Sequence, residues 1–294
     1  MRVFLTGANG FIGGAVAGAL IAAGHEIRGL VRSNDKADLV AAHGVDAVIG
    51  SLDDVPLLQA EARAADAVIN TASSDHRGAV EALLAALAGS GKPFIHSSGT
   101  SIVADLAMGE PSERIFDEAT PIAPLPERAA RVAIDRLVLE APGIRSIVIC
   151  NSMIYGHAMG PPAQSVQIPA LVQQAKVSGI ARYIGRGLNR WSNVHIADVA
   201  AAYLAALAKA PAGTFMYVES GEEALGEIAK AIGVRLGLGA AQSWSAEDAI
   251  AAWGRNLAML SLGSNSRVRG KAATDLGWCP AQRSVMHWIV NEMD

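Results

Sequence analysis

The sequence predicts an α/β protein, a doubly wound parallel sheet with a smaller, mostly helical lobe attached. Three observations carry that expectation. Short apolar runs alternate with helical patterns through the first half, a glycine-rich turn follows the first run, and the rhythm changes after Cys150. Alternating strands and helices build βαβ units, whose strands are covered on both faces and therefore read as nearly unbroken apolar stretches.

The elements follow in order. VFLT (3–6), EIRGLV (26–31), DAVIG (46–50), DAVINTAS (66–73), PFIHSS (93–98) and RSIVIC (145–150) read as buried strands. Helical patterns at 11–23, 36–43, 54–64, 75–90 and 127–141 fall between them, enough for a complete doubly wound sheet. Beyond Cys150 come Gly156, Gly160, Pro161 and Pro162, then a helix over 164–178 and the loop-rich GIARYIGRGLNRW. SNVHI (192–196) reads as a strand leading into a helix at 197–209, TFMYV (214–218) as a further strand, and 221–294 as helices and loops. The expected domains are 1–152 plus 193–218 for the nucleotide-binding sheet, and 153–192 plus 219–294 for a substrate-binding lobe.

Composition narrows the class. The chain has 294 residues, 51% of them apolar, and a net charge of −4, which suits a globular protein and lacks the basic footprint of a nucleic-acid binder. No apolar run reaches the ~18–20 residues of a membrane span, and MRVFLTGANG turns at glycine before a signal-peptide core forms. The 2 cysteines, Cys150 and Cys279, offer neither a disulfide framework nor a zinc site, and no metal is expected. The expected setting is cytoplasmic, as a monomer or homodimer acting on a small-molecule substrate.

TGANGFIGGAV (6–16) stands directly after the first strand and opens a helix. Gly7 permits a tight turn, Gly10 lets backbone approach a pyrophosphate, and Gly13 lets helix and strand pack closely, the arrangement of a Rossmann-type dinucleotide site. Gly7, Asn9, Gly10, Phe11, Ile12 and Gly13 are the expected cofactor contacts of this turn. The second strand ends with Arg32 and Ser33 where an NAD enzyme would place an acid, so a 2′-phosphate, and hence NADP rather than NAD, is expected. Leu52 and Asp53 follow the third strand; Asp53 could accept from the adenine amino group or cap the next helix. Thr71, Ala72 and Ser73 close the fourth strand and should pass near the cofactor because they lie at its carboxyl end.

Together TGANGFIG, LVR, SLDD, TAS, HSSGTS (96–101), MIYG (153–156), NRWSNVHIADVAAAY (189–203) and LGWCP (276–280) resemble the extended short-chain dehydrogenase/reductase superfamily, which includes nucleotide-sugar epimerases and dihydroflavonol-type reductases. The resemblance covers almost the whole chain. It implies that a hydroxyl at the end of the fifth strand polarises a carbonyl, which Ser98 matches best with Thr100 beside it. It also implies a Tyr-x-x-x-Lys pair on the next helix. Aligning the helix tail AIDRLVLE puts Glu127 and Arg131 at those places, and no tyrosine occurs from 99 to 154. The chain thus resembles atypical members that keep the cofactor fold without the usual pair.

Glu127 follows Pro126 in the first helical turn, where the dipole favours a carboxylate, and Arg131 stands one turn away on the same face. A helix-surface ion pair between them is expected. Arg131 could still hold the nicotinamide ribose, the other task of the missing lysine. Tyr155 is the candidate proton donor, with bound water as its alternative and His157 behind it. His195 is expected to order the returning strand and Asp198 to sit at a helix start, while Arg182, Tyr183, Arg186, Arg190 and Trp191 mark the second lobe. The expected activity is NADPH-dependent hydride transfer to a carbonyl, or an imine, of a small organic substrate. The alternatives are a nucleotide-sugar epimerase or dehydratase with tightly bound NAD, and a non-catalytic NADP sensor.

Overall fold

Side-chain alternation along the strands divides the core into two layers. The structure, a computed structural model, describes residues 1–294. Its first half runs β1 (Arg2–Thr6), α1 (Phe11–Ala22), β2 (Glu26–Val31), α2 (Asn34–Ala41), β3 (Asp46–Ile49), α3 (Val55–Ala64), β4 (Ala67–Asn70), α4 (Arg77–Leu87), β5 (Pro93–Gly99), α5 (Pro126–Leu139) and β6 (Arg145–Asn151). Then come β7 (Met153–Tyr155), α6 (Gln167–Ser178), β8 (Arg182–Ile184), β9 (Arg190–His195), α7 (Ile196–Lys209), β10 (Thr214–Val218) and β11 (Gly221–Ala224). The chain ends with α8 (Leu225–Arg235), β12 (Gln242–Trp244), α9 (Ala246–Leu257), α10 (Ala272–Asp275) and α11 (Val285–Asn291).

Seven strands form one parallel sheet in the order β10-β6-β5-β4-β1-β2-β3. Val3, Leu5, Ile69, Ile95 and Ile147 pack on Val16 and Leu20 of α1 and Val199 and Tyr203 of α7. Phe4, Val68, Phe94 and Val148, one residue out of phase, pack on Leu58, Leu83, Ile134 and Val138 of α3, α4 and α5. Successive strand residues point to opposite faces, so both layers demand apolar residues and the strands read as continuous runs.

The second lobe has its own core, in which Met153, Ile168, Leu171, Trp191, Ile228 and Trp288 meet. Of the expected returning segment 193–218, α7 covers the sheet and β10 pairs with β6, whereas β9 pairs with β7 and β11 in a separate three-stranded sheet. The reason is steric. β10 already occupies the outer edge of β6, and the Ser152 amide bonds the Val218 carbonyl at 3.1 Å, so β9 finds no free edge there.

Candidate active site

The direction of the connections reverses between β1 and β4: β1 leads outward to β2 and β3, β4 to β5 and β6. Loops leaving the two carboxyl ends diverge and open a crevice, the position at which open α/β sheets take ligands. Gly7 lies in the left-handed region at φ +76°, and a Cβ there would stand 2.8 Å from the Ala72 backbone. A Cβ on Gly13 would lie 2.0 Å from the Gly7 carbonyl oxygen and 2.7 Å from Thr71 Oγ1. These two contacts draw the turn, α1 and the end of β4 together, and Thr71 Oγ1 secures them by donating to the Thr6 carbonyl at 2.7 Å.

Gly10 caps α1 with no side chain to occupy its first-turn amides, and no acid stands in that turn. The amides of Phe11, Ile12 and Gly13 at a positive helix end are therefore available to an anion. This cradle fits the pyrophosphate of a nicotinamide dinucleotide, with Asn9 half-buried beside it. Arg32, at the carboxyl end of β2, is exposed and makes no hydrogen bond or ion pair; Ser33 next to it starts α2 without bonding its amides. Asp54, not Asp53, caps α3, its Oδ1 accepting from the Leu57 amide at 3.1 Å. Asp53 stays exposed near Leu52, accepting from His76 Nε2 at 3.1 Å, while His76 Nδ1 caps α4 by accepting from the Ala79 amide.

At the other end of the crevice the structure departs from the sequence reading. Arg131 does not pair with Glu127. Its Nε and Nη2 grip both carboxylate oxygens of Asp75, at 2.8 and 2.5 Å, and its Nη1 donates to Ser101 Oγ at 3.1 Å. The Arg131 hydrogen bond holds the Asp75 carboxyl below the usual carboxylate range. The bidentate fit outcompetes a helix-surface pair because it satisfies the planar fork and a buried stem together. Glu127 is left exposed at the start of α5 with no side-chain partner. Sequence reading missed Ser101 and Asp75; their signals were slight, the last of four hydroxyls in HSSGTS, two residues past β5, and an acid five residues past β4.

Ser98 faces the opposite way from the role expected of it. Its side chain follows Phe94 and His96 onto the α5 face, it is 4% exposed, and its hydroxyl donates to Asp135 Oδ2 at 2.7 Å. A hydroxyl has one proton, so this one is committed to Asp135. Thr100 is buried with Oγ1 unpartnered. Tyr155, expected near the pocket mouth, lies in the second-lobe core with its ring edge-on to His195, its hydroxyl 3.5 Å from the Gln282 carbonyl, and burial pushing it up from the ordinary phenol range. That environment disfavours it as a proton donor. His157 bonds the Glu292 carbonyl through Nε2 at 2.9 Å. His195 Nδ1 caps α7 by accepting from the Ala197 amide, and Asp198 accepts from the Ala281 and Gln282 amides. Arg190 and Arg186 pair with Glu222 and Glu110, and Arg182 bonds Gln242.

Beneath the crevice a buried polar chain crosses three strands, β1, β4 and β5, and ends at α5. Thr6 Oγ1 donates to Asn70 Oδ1 at 2.5 Å, and Asn70 Nδ2 to His96 Nδ1 at 3.0 Å. His96 Nε2 therefore carries the ring proton and points at Asp135 Oδ1, 3.8 Å away. Burial pushes the Asp135 carboxyl up to about 6 and the His96 imidazole down to about 4. A cleft of about 340 Å³ adjoins the start of α5, bounded by Leu106, Glu127, Arg128, Arg255, Asn256 and Met259. No group of three His, Cys, Asp or Glu side chains gathers to hold a metal, and no helix is long and apolar enough to cross a membrane.

The model of the NAD dependent epimerase/dehydratase family matches residues 3–217, from β1 through β10. The chain belongs to this family. It is 33% identical to an oxidase of Acremonium sp. over 95% of this chain and 92% of the relative. A 4-hydroxy-2-methyl-3-oxo-4-farnesyl-3,4-dihydroquinoline-1-oxide ketoreductase of Stigmatella aurantiaca is 26% identical, over 75% of this chain and 69% of its own. Among solved structures, dTDP-glucose 4,6-dehydratase of Bacillus anthracis in complex with NAD superposes with a TM-score of 0.77 at 18% identity, covering 99% of this chain and 97% of its own. At that identity the likeness is one of fold.

Proposed function

We propose that this protein is an NADPH-dependent oxidoreductase that reduces a carbonyl, or an imine, of a small organic substrate, with Ser101 as the hydroxyl that polarises the acceptor. The carrying observation is the Asp75–Arg131–Ser101 arrangement at the carboxyl ends of β4 and β5. Arg131 donates to Ser101 Oγ, so the serine's own proton is free to bond a substrate oxygen, and the guanidinium strengthens that bond. As negative charge gathers on the substrate oxygen, the Ser101 hydroxyl is already in place beside a fixed cation, and preorganised donors of this kind are usually the largest single contribution to catalysis. When bound, the nicotinamide supplies the hydride. The proton that completes the alcohol comes from water at the crevice, since Ser98 is committed and Tyr155 buried.

Arg32 and Ser33 would receive the 2′-phosphate, Gly7 to Gly13 with Asn9 the pyrophosphate, and Arg131 the nicotinamide ribose; Leu52, Asp53 and Thr71 to Ser73 would flank the cofactor between them. The named ketoreductase and oxidase relatives support redox chemistry over net-neutral epimerisation. No phenol on α5 stands ready to draw a hydroxyl proton at the start of an epimerase cycle.

The test is Ser101→Ala, assayed for NADPH oxidation against a panel of aldehydes, ketones and cyclic imines. Turnover should fall by about two orders of magnitude, the cost of one oxyanion donor, with NADPH affinity unchanged. Parent-like turnover in the variant removes Ser101 from the mechanism.

A further inference from the structure

Two guanidiniums stand three residues apart near the start of α5, and only one has an acid. Arg131 is gripped by Asp75, whereas Arg128 has no carboxylate within ion-pair distance. Its Nη2 donates to Asn256 Oδ1 of α9 at 2.8 Å, its Nη1 reaches the Glu127 carbonyl at 3.4 Å, and its Nε is buried without a partner. Burial and the neighbouring Arg131 charge both work against the charged form of Arg128. A partly desolvated cation held in this way is costly unless an anion completes it.

The far wall of the cleft is built toward the same end. Gly254, at φ +74° and ψ 155°, breaks α9, and residues Ala258–Leu262 continue as a π-turn, an irregularity often found at functional sites. Arg255 and Asn256 lie between these two irregularities and border the cleft opposite Arg128. Arg255 is exposed and pairs with nothing. Leu106, Met259 and Leu260 supply apolar wall, and Glu127 is the one acid at the rim. With two cations against one carboxylate, the cleft has room for a single negative charge, not for a diphosphate. Its volume of about 340 Å³ suits a small molecule.

We infer that the cleft between α5 and α9 is the substrate subsite and that it selects a small substrate carrying a carboxylate-like monoanion, bound by Arg128 with Arg255 at the mouth and its apolar body against Leu106, Met259 and Leu260. The inference rests on the reductase reading for its meaning but not for its test. The subsite shares α5 with Arg131, which stands three residues beyond Arg128 on that helix.

Benzoate and its neutral isostere benzamide are titrated into the NADP-loaded full-length protein by calorimetry. Benzoate should bind about tenfold or more tighter than benzamide, weaken with added salt, and lose about tenfold or more in Arg128→Ala. Arg128→Lys should recover part of the loss, since it restores the charge without the planar fork. Melting temperature and NADP affinity of each variant check that the fold is intact. Equal binding of benzoate and benzamide to the parent, no benzoate binding at tens of millimolar, or benzoate binding that survives Arg128→Ala in a folded variant each overturns the inference. Benzoate held through Arg128 without reduction of any carbonyl or imine leaves this subsite standing and removes the reductase reading; reduction without benzoate binding does the reverse.

Discussion

His96 and Asp135 form a buried pair whose two members push stability in opposite directions as pH changes, and single substitutions should uncover both. His96 is fully buried and Asp135 is 3% exposed, with 3.8 Å between Nε2 and Oδ1. Burial lowers His96 from its ordinary 6.5 to about 4, so below pH 6.5 the unfolded chain takes the proton first. The His96 contribution is therefore complete above pH 6.5 and lost as pH falls toward 4. Burial raises Asp135 from 3.8 to about 6, so here the folded chain holds the extra proton. That contribution is complete below pH 3.8 and lost as pH rises through 6. Each gap, at 1.36 kcal/mol per pK unit, is worth about 3 kcal/mol.

Between pH 4 and 6 the two slopes cancel in the parent. The pair holds one proton folded and one unfolded, whichever member carries it. Asp135→Asn leaves the His96 slope alone, so stability relative to the parent should rise by about 3 kcal/mol from pH 4 to 6.5. His96→Gln should leave the Asp135 slope, a relative fall of about 3 kcal/mol from pH 4 to 6. Urea unfolding followed by tryptophan fluorescence at intervals from pH 4 to 8 reads both. If each single variant tracks the parent's pH dependence, the two groups do not titrate as the buried geometry requires.

Two further outcomes concern the cofactor and the opening of α5. Arg32→Ala should weaken NADPH binding by roughly 10- to 100-fold and leave NADH nearly unchanged, measured by calorimetric titration of both; equal losses would remove the preference for NADP. Glu127→Gln should keep turnover within about threefold of the parent, because Glu127 stands exposed with no side-chain partner that would prepare it to give a proton. Abolished turnover with NADPH still bound would mean that the glutamate does the work of the absent tyrosine.

What the chain alone determined follows from local rules. Gly7, Gly10 and Gly13 after an apolar run specify a strand, an open turn and a helix start, because their roles depend on neighbours a few residues away. The strands were legible because burial on both faces demands apolar residues at every position, and so was the place of Arg32 just past the end of β2. The site beyond the phosphate turn was not legible in the same way. In HSSGTS the sequence pointed to Ser98 and Thr100 and not to Ser101, and only the pleat of β5 decides that Ser98 turns inward to Asp135 while Ser101, past the strand end, meets Arg131. Arg131 stood within one turn of Glu127 in sequence, yet its partner is Asp75, 56 residues away, brought there when β4 and α5 close on the same crevice. Arg128 and Asn256 meet across 128 residues through a break in α9 at Gly254 that no periodicity announces. Backbone conformation near the phosphate turn is a local property of the chain, whereas which charge meets which is settled only by the packing of distant elements, where geometry and desolvation choose among partners that sequence leaves equal.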